Sequence, residues 1–276
     1  MLMRHRRART HIHAVLINYV RRGVGKPLLL VHGLGSNWRS WQTVLGPLAA
    51  ERAVVAIDLP GFGKSPPLAG EVSIRTLADA IGQFLVEHDL VGTDAVGSSM
   101  GARIVLELAR RGGVVGAVVS LNPGGFWSKW DRRGFHASIW LSVRLVRALQ
   151  FAMPRITHNE MARALLMIQL SARARELAPA LVLEEMRSYA VSVCFDVMLR
   201  DLVHGVPQQG AAAGHIAKPL VIGWGRGDRV CLPRQAARAQ QLFPDAHLHW
   251  FERCGHFPHW DVPEETTRLI LDTTAE

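Results

Sequence analysis

A chain of 276 residues, 49% hydrophobic and 20% charged, has enough apolar material for one large domain or for a core carrying an inserted module, and needs no disulfide staples. Its formal net charge is +9, with six arginines (Arg4, Arg6, Arg7, Arg9, Arg21 and Arg22) near the N-terminus; no aromatic residues interleave with them and no nucleic-acid motif accompanies them, so they read as a solvated tail. The apolar run Ala14–Ile17 is too short for a secretory leader and is broken by Asn18, and no stretch approaches the length of a membrane span.

Residues 11–22 alternate loosely and suit an opening strand or hairpin, with Gly23 and Gly25 at the turn. Pro27–Val31 and Ala53–Ile57 are unbroken apolar runs, which implies strands buried on both faces, as in the centre of a parallel sheet. Trp38–Ala50 lies between them with helical character. The first run ends in His32-Gly33-Leu34-Gly35 and the second in the glycine-rich loop Asp58–Ser65. Ser73–Glu87 is an amphipathic helix with Ile74, Leu77, Ile81, Phe84 and Leu85 on one stripe.

Next come a strand from Thr93 to Val96, the turn Gly97-Ser98-Ser99-Met100-Gly101, and a helix beginning at once with Ile104, Val105 and Leu108. A strand at Ala117–Leu121 ends at Asn122. Strand and helix have alternated throughout, the pattern of a parallel sheet covered on both faces. Residues 126–212 break the rhythm. Helical spacing (Ile139, Leu141, Leu145, Leu149; Met161, Leu165, Leu166, Ile168) implies an inserted helical module, with these side chains packed inward. The sheet pattern returns with strands at Pro219–Ile222 and Ala246–Phe251 and helices at Arg234–Leu242 and Pro263–Leu271. The expected organisation is therefore an α/β core from residues 1–125 and 213–276, built on a mostly parallel doubly wound sheet, with 126–212 as a helical cap.

Four loops at strand ends carry chemically unusual residues: the His32 loop, Ser99, Asp228 and His256. In a doubly wound sheet all four belong to the same edge, where ligands bind. A serine hydroxyl needs a base within hydrogen-bond reach to become a nucleophile, and the base needs a carboxylate to orient it. The order Ser99, Asp228, His256 is the one expected when the serine sits on a strand–turn–helix elbow. Asp58 precedes the serine beside Pro60-Gly61 and reads as a turn residue, Asn122 is an amide and cannot serve as the acid, and His259 competes with His256 but lacks the preceding glycine. Cys194, Cys231 and Cys254 are odd in number and unpaired in spacing, which suits free thiols in a reducing compartment and argues against a zinc site.

With five loops in order (His32–Gly35, Asp58–Ser65, Gly97–Gly101, Gly223–Asp228 and Gly255–Pro258), the chain resembles the α/β-hydrolase fold superfamily over nearly its whole length. The resemblance implies a capped serine esterase: Ser99 as nucleophile, His256 as base, Asp228 as orienting acid, and the backbone N–H groups of Leu34 and Met100 as an oxyanion hole. It implies no metal or organic cofactor and a hydrophobic small-molecule ester as substrate. The free thiols, the charge pattern and the lack of a leader or span suggest a cytoplasmic location without nucleic-acid partner or stable membrane insertion. Serine at the elbow argues against dehalogenase and epoxide-hydrolase chemistry, which uses aspartate there. Carbon–carbon bond hydrolases, lactonases, perhydrolases and a non-catalytic ligand-binding relative stay open, as does the oligomeric state.

Overall fold

A computed structural model describes residues 16–275; the arginines at positions 4–9 and the start of the expected opening strand lie outside the described residues. Seven strands form one sheet: β1 (Tyr19–Arg22), β2 (Pro27–Val31), β3 (Ala53–Ile57), β4 (Thr93–Ser98), β5 (Val115–Leu121), β6 (Leu220–Gly225) and β7 (His247–Phe251). Their spatial order is β1-β3-β2-β4-β5-β6-β7. β1 runs antiparallel to β3, and every other pair is parallel. The apolar runs at 27–31 and 53–57 occupy the interior because helices cover both faces: Leu29, Val31, Val55 and Ile57 pack on one side and Leu28, Leu30, Val54 and Ala56 on the other.

Before β5 the helices that cover the sheet are α1 (Gln42–Ala49), α2 (Ile74–Glu87) and α3 (Met100–Arg111). The stretch expected to be one helix over 38–50 opens instead with a tight 3₁₀ turn, Trp38–Trp41, capped by the Asn37 side chain. Ser73 caps α2 reciprocally with Thr76, and the five residues of its expected stripe are all buried. β5 starts two residues before the apolar run that marks it in sequence.

Between β5 and β6 the chain forms five helices: α4 (Lys129–Ala148), α5 (Met153–His158), α6 (Glu160–Leu166), α7 (Pro179–Val191) and α8 (Phe195–His204). They share a hydrophobic cluster of their own, in which Val143, Met153, Met167, Val182, Met186 and Leu199 meet Phe257 and Trp260 of the core. One expectation for this segment fails. Ile139, Leu149 and Leu166 turn inward, but Leu141, Leu145, Met161, Leu165 and Ile168 are exposed. α4 is apolar on two opposite sides, so spacing alone cannot select the packed face; the buried one runs through Val143 and Val146. The chain closes with a 3₁₀ turn at Pro233–Gln235, α9 (Ala236–Leu242), the short α10 (Pro258–Asp261) and α11 (Pro263–Thr273).

Candidate active site

The elbow follows from backbone sterics. Ser99 stands between β4 and α3 at φ 56°, ψ −110°, a region side chains rarely enter. A Cβ on Gly97 would lie 2.3 Å from the Gly101 carbonyl oxygen, and one on Gly101 would lie 2.2 Å from that of Val31. Both positions therefore require glycine, and the tight approach lifts the Ser99 hydroxyl above the carboxyl ends of the strands.

The structure brings the three sequence-selected side chains together. His256 Nε2 lies 2.9 Å from Ser99 Oγ, and its Nδ1 lies 2.9 Å from Asp228 Oδ2. Asp228 Oδ1 accepts the backbone N–H groups of Val230 and Cys231 at 2.8 and 2.9 Å, so the carboxylate is fixed and its second oxygen is left for the imidazole. Both His256 and Asp228 are buried, which strengthens their pairing relative to water. His259 sits elsewhere, stacked on Trp41 with ring centroids 4.5 Å apart. Burial lowers its pKa to about 3, so it stays neutral, and the Ser99 hydroxyl bonds His256 instead.

The two residues expected to supply oxyanion amides lie near the elbow: Met100 follows Ser99 directly, and Leu34 lines the same cavity as Ser99. Met100 opens α3, where a first-turn N–H has no intrahelical acceptor. Leu34 is the second residue of a turn closed by Ser36 N–H donating to the Gly33 carbonyl at 3.3 Å, with Gly35 at φ 76°. Gly33 packs on Ser99, since a Cβ there would fall 3.3 Å from Ser99 Cβ.

Two further sets of contacts hold this turn. Leu59 N–H donates to His32 Nε2 at 2.9 Å, which assigns the ring proton to Nδ1, and Nδ1 donates to the Gly33 carbonyl at 2.7 Å. Burial lowers the His32 pKa and keeps this neutral tautomer. From α7, Ser188 Oγ donates to the Gly35 carbonyl at 2.7 Å and Ser192 Oγ at 2.8 Å, the latter shared with the Ser188 carbonyl; Ser36 Oγ donates to Glu185 Oε2 at 3.0 Å.

Sequence reasoning missed these α7 residues, and it missed two braces. Asn122 Nδ2 donates to the Gly255 carbonyl at 2.7 Å and its Oδ1 accepts Gly225 N–H at 2.8 Å, which ties the loops carrying Asp228 and His256 to each other. Asp261 accepts Gly255 N–H at 2.7 Å and Ala172 N–H at 2.8 Å, joining the histidine loop to the helical insertion. Asn122 had one signal available, a polar residue ending a buried strand; the others had none. Asp58 is structural as expected, accepting Trp38 N–H and Lys64 N–H at 2.8 and 2.9 Å.

A cavity opens at Ser99 and His256 between the sheet edge and the insertion. Its walls are Leu34, Phe135, Ile139, Val143, Val146, Leu166, Leu170, Met186, Tyr189, Phe195 and Phe257 among others, with no arginine or lysine among the lining residues. Ser142 and Gln169, two of its polar residues, bond to each other at 3.0 Å. Among the described residues, only Asp228, Cys231 and His256 cluster tightly enough for a metal, within 4.8 Å. Burial and the Asp228 charge push the Cys231 thiol well above its usual range, and Asp228 and His256 already engage one another, so this set is poorly suited to a cation.

Known proteins agree with this architecture. The model of the Alpha/beta hydrolase family matches residues 28–269. A 2-hydroxy-6-oxo-6-phenylhexa-2,4-dienoate hydrolase from Burkholderia cepacia is 25% identical over 92% of this chain and 89% of its own. Among solved structures, a thermophilic esterase from Thermogutta terrifontis superposes with a TM-score of 0.72 at 17% identity, covering 93% of this chain and 92% of its own. A meta-cleavage product hydrolase from Pseudomonas fluorescens IP01 does so with a TM-score of 0.70 at 20% identity, covering 95% and 94%.

Proposed function

Because this chain belongs to the alpha/beta hydrolase family, we propose that it is a serine hydrolase of neutral, hydrophobic carboxylic esters, with residues 126–212 acting as a cap over the site. Ser99 Oγ attacks the ester carbonyl as its proton passes to His256 Nε2, 2.9 Å away. Asp228 holds the imidazole in the tautomer that can receive that proton and stabilises the imidazolium. The amides of Leu34 and Met100 take the oxyanion. The alcohol leaves with the proton from His256, giving an acyl-serine, and a water deprotonated by the same imidazole then attacks to release the acid.

The observation that carries the ester reading is the cavity lining. A dienoate bears a carboxylate, and burying it without a cationic partner is expensive. Leu34, Phe135, Ile139 and Val146 offer apolar surface, and among the described residues no arginine or lysine lines the cavity. The second reading, carbon–carbon bond hydrolysis, draws on the Burkholderia cepacia relative. A panel of p-nitrophenyl esters of increasing acyl length, run against a ring-fission dienoate, separates the two. Ester turnover that exceeds dienoate turnover supports the proposal, and the reverse order refutes it. Ser99→Ala is expected to lower kcat on the better substrate by roughly 10⁵- to 10⁶-fold.

A further inference from the structure

Helix α4 has two apolar faces. Toward the core, Phe135, Ile139, Val143 and Val146 line the cavity beside Ser99. On the opposite side Trp130, Trp140, Leu141 and Leu145 face solvent, and Phe151, just past the helix end, is exposed as well. Trp130, Leu141 and Phe151 are 78, 63 and 81% exposed, and it is their grouping with Trp140 and Leu145, not the exposure of any one, that makes a patch. At 3.6 residues per turn these helical positions fall on one side, together with exposed Arg133 and Arg144. The 20 residues of α4 make this a stripe about 30 Å long.

The charge on the helix is one-sided. The guanidinium of Arg133 lies 5.3 Å from the Trp130 ring centroid, and that of Arg144 lies 4.8 Å from Trp140. Such stacking keeps the cations beside the apolar surface. The one acid in α4, Asp131, pairs with Arg234. Arg147 pairs with Asp196 of α8. Nothing acidic on α4 neutralises Arg133 and Arg144.

We propose that this stripe docks the protein on an anionic lipid bilayer, with α4 lying in the plane of the interface. Trp130, Trp140, Leu141, Leu145 and Phe151 supply apolar and aromatic side chains suited to the boundary between headgroups and acyl chains, and the arginines sit where phosphates would be. A second copy of the chain is a worse occupant, because a two-fold contact through the stripe would set Arg133 and Arg144 against a face with no acid to pair them. No helix among the described residues is long and apolar enough to cross a membrane, so the contact is peripheral. The inner face of the docked helix would be a wall of the cavity at Ser99.

The test is co-sedimentation of the full-length protein with vesicles of phosphatidylcholine alone or mixed with phosphatidylglycerol. The wild type should pellet with the mixed vesicles and be released by salt. Trp130→Ser/Trp140→Ser/Leu141→Ser and, separately, Arg133→Glu/Arg144→Glu should each lower the bound fraction roughly tenfold or more, with melting temperature unchanged. No wild-type binding overturns the proposal. So does undiminished binding by both variants, which would assign adhesion to another basic surface. A concentration-dependent dimer that the triple variant abolishes, without vesicle binding, would make the stripe a self-interface instead. Binding is read without turnover, so the result does not depend on the esterase proposal.

Discussion

Glu185 shows how one buried side chain can make this enzyme's stability depend on pH. It is fully enclosed on α7, with Oε2 accepting from Ser36 and Oε1 left without a well-formed partner. Burial raises its pKa from 4.5 to about 7, an effect the neighbouring Glu184 reinforces and the Ser36 and Tyr189 contacts oppose. Between those two values the native state keeps a proton that the unfolded chain has lost. Stability contributed by this group is thus fully present below pH 4.5, falls as pH rises, and is gone above about 7. Glu185→Gln preserves an acceptor for Ser36 and removes the ionisation. The stability of the wild type relative to this variant should fall by up to about 3 kcal/mol from pH 4.5 to 8, measured by urea unfolding at matched pH.

At the scale of elements, the turn that presents the Leu34 amide is held from two sides. His32 fixes it to the loop after β3, and Ser188 and Ser192 fix it to α7. The Gly33 carbonyl, in the same peptide group as the Leu34 N–H, and the Gly35 carbonyl at the far side of the turn are both occupied, which leaves the turn little freedom to move. If the Leu34 amide takes the oxyanion as proposed, preorganisation of this kind is where that site gains its strength. Ser188→Ala/Ser192→Ala should lower kcat on a p-nitrophenyl ester about tenfold with KM little changed, because the ground-state contacts remain while the oxyanion donor loosens. A rise in KM at constant kcat would assign the serines to cavity shape instead. Wild-type rates of labelling by a fluorophosphonate in the double variant would also count against the clamp.

Across the whole molecule the sheet separates stability from chemistry. At the end opposite Ser99, Arg52 pairs with Asp94 at 2.6 Å with both side chains buried, and Arg52 also donates to the Thr274, Lys26 and Pro27 carbonyls. Asp94→Ala would leave a buried guanidinium without its counter-charge, so we expect a loss of about 3–5 kcal/mol in urea unfolding with kcat preserved on the folded fraction. The alternation of buried strands and helices was legible in sequence, as were the elbow and the order of serine, acid and histidine. Most of this is local demand: apolar runs mark strands buried on both faces, and Gly97 is required by the Gly101 carbonyl of its own turn, whereas the backbone that requires Gly101 belongs to Val31 and His32, about 70 positions earlier. What only the tertiary structure decided is written over long separations. The bond between Ser36 and Glu185 spans 149 positions, and that between Asn122 and Gly255 spans 133. No periodicity records such pairings. Which face of α4 is buried was likewise beyond sequence, because a helix apolar on two sides takes its orientation from the partner it packs against, here the cavity wall over Ser99.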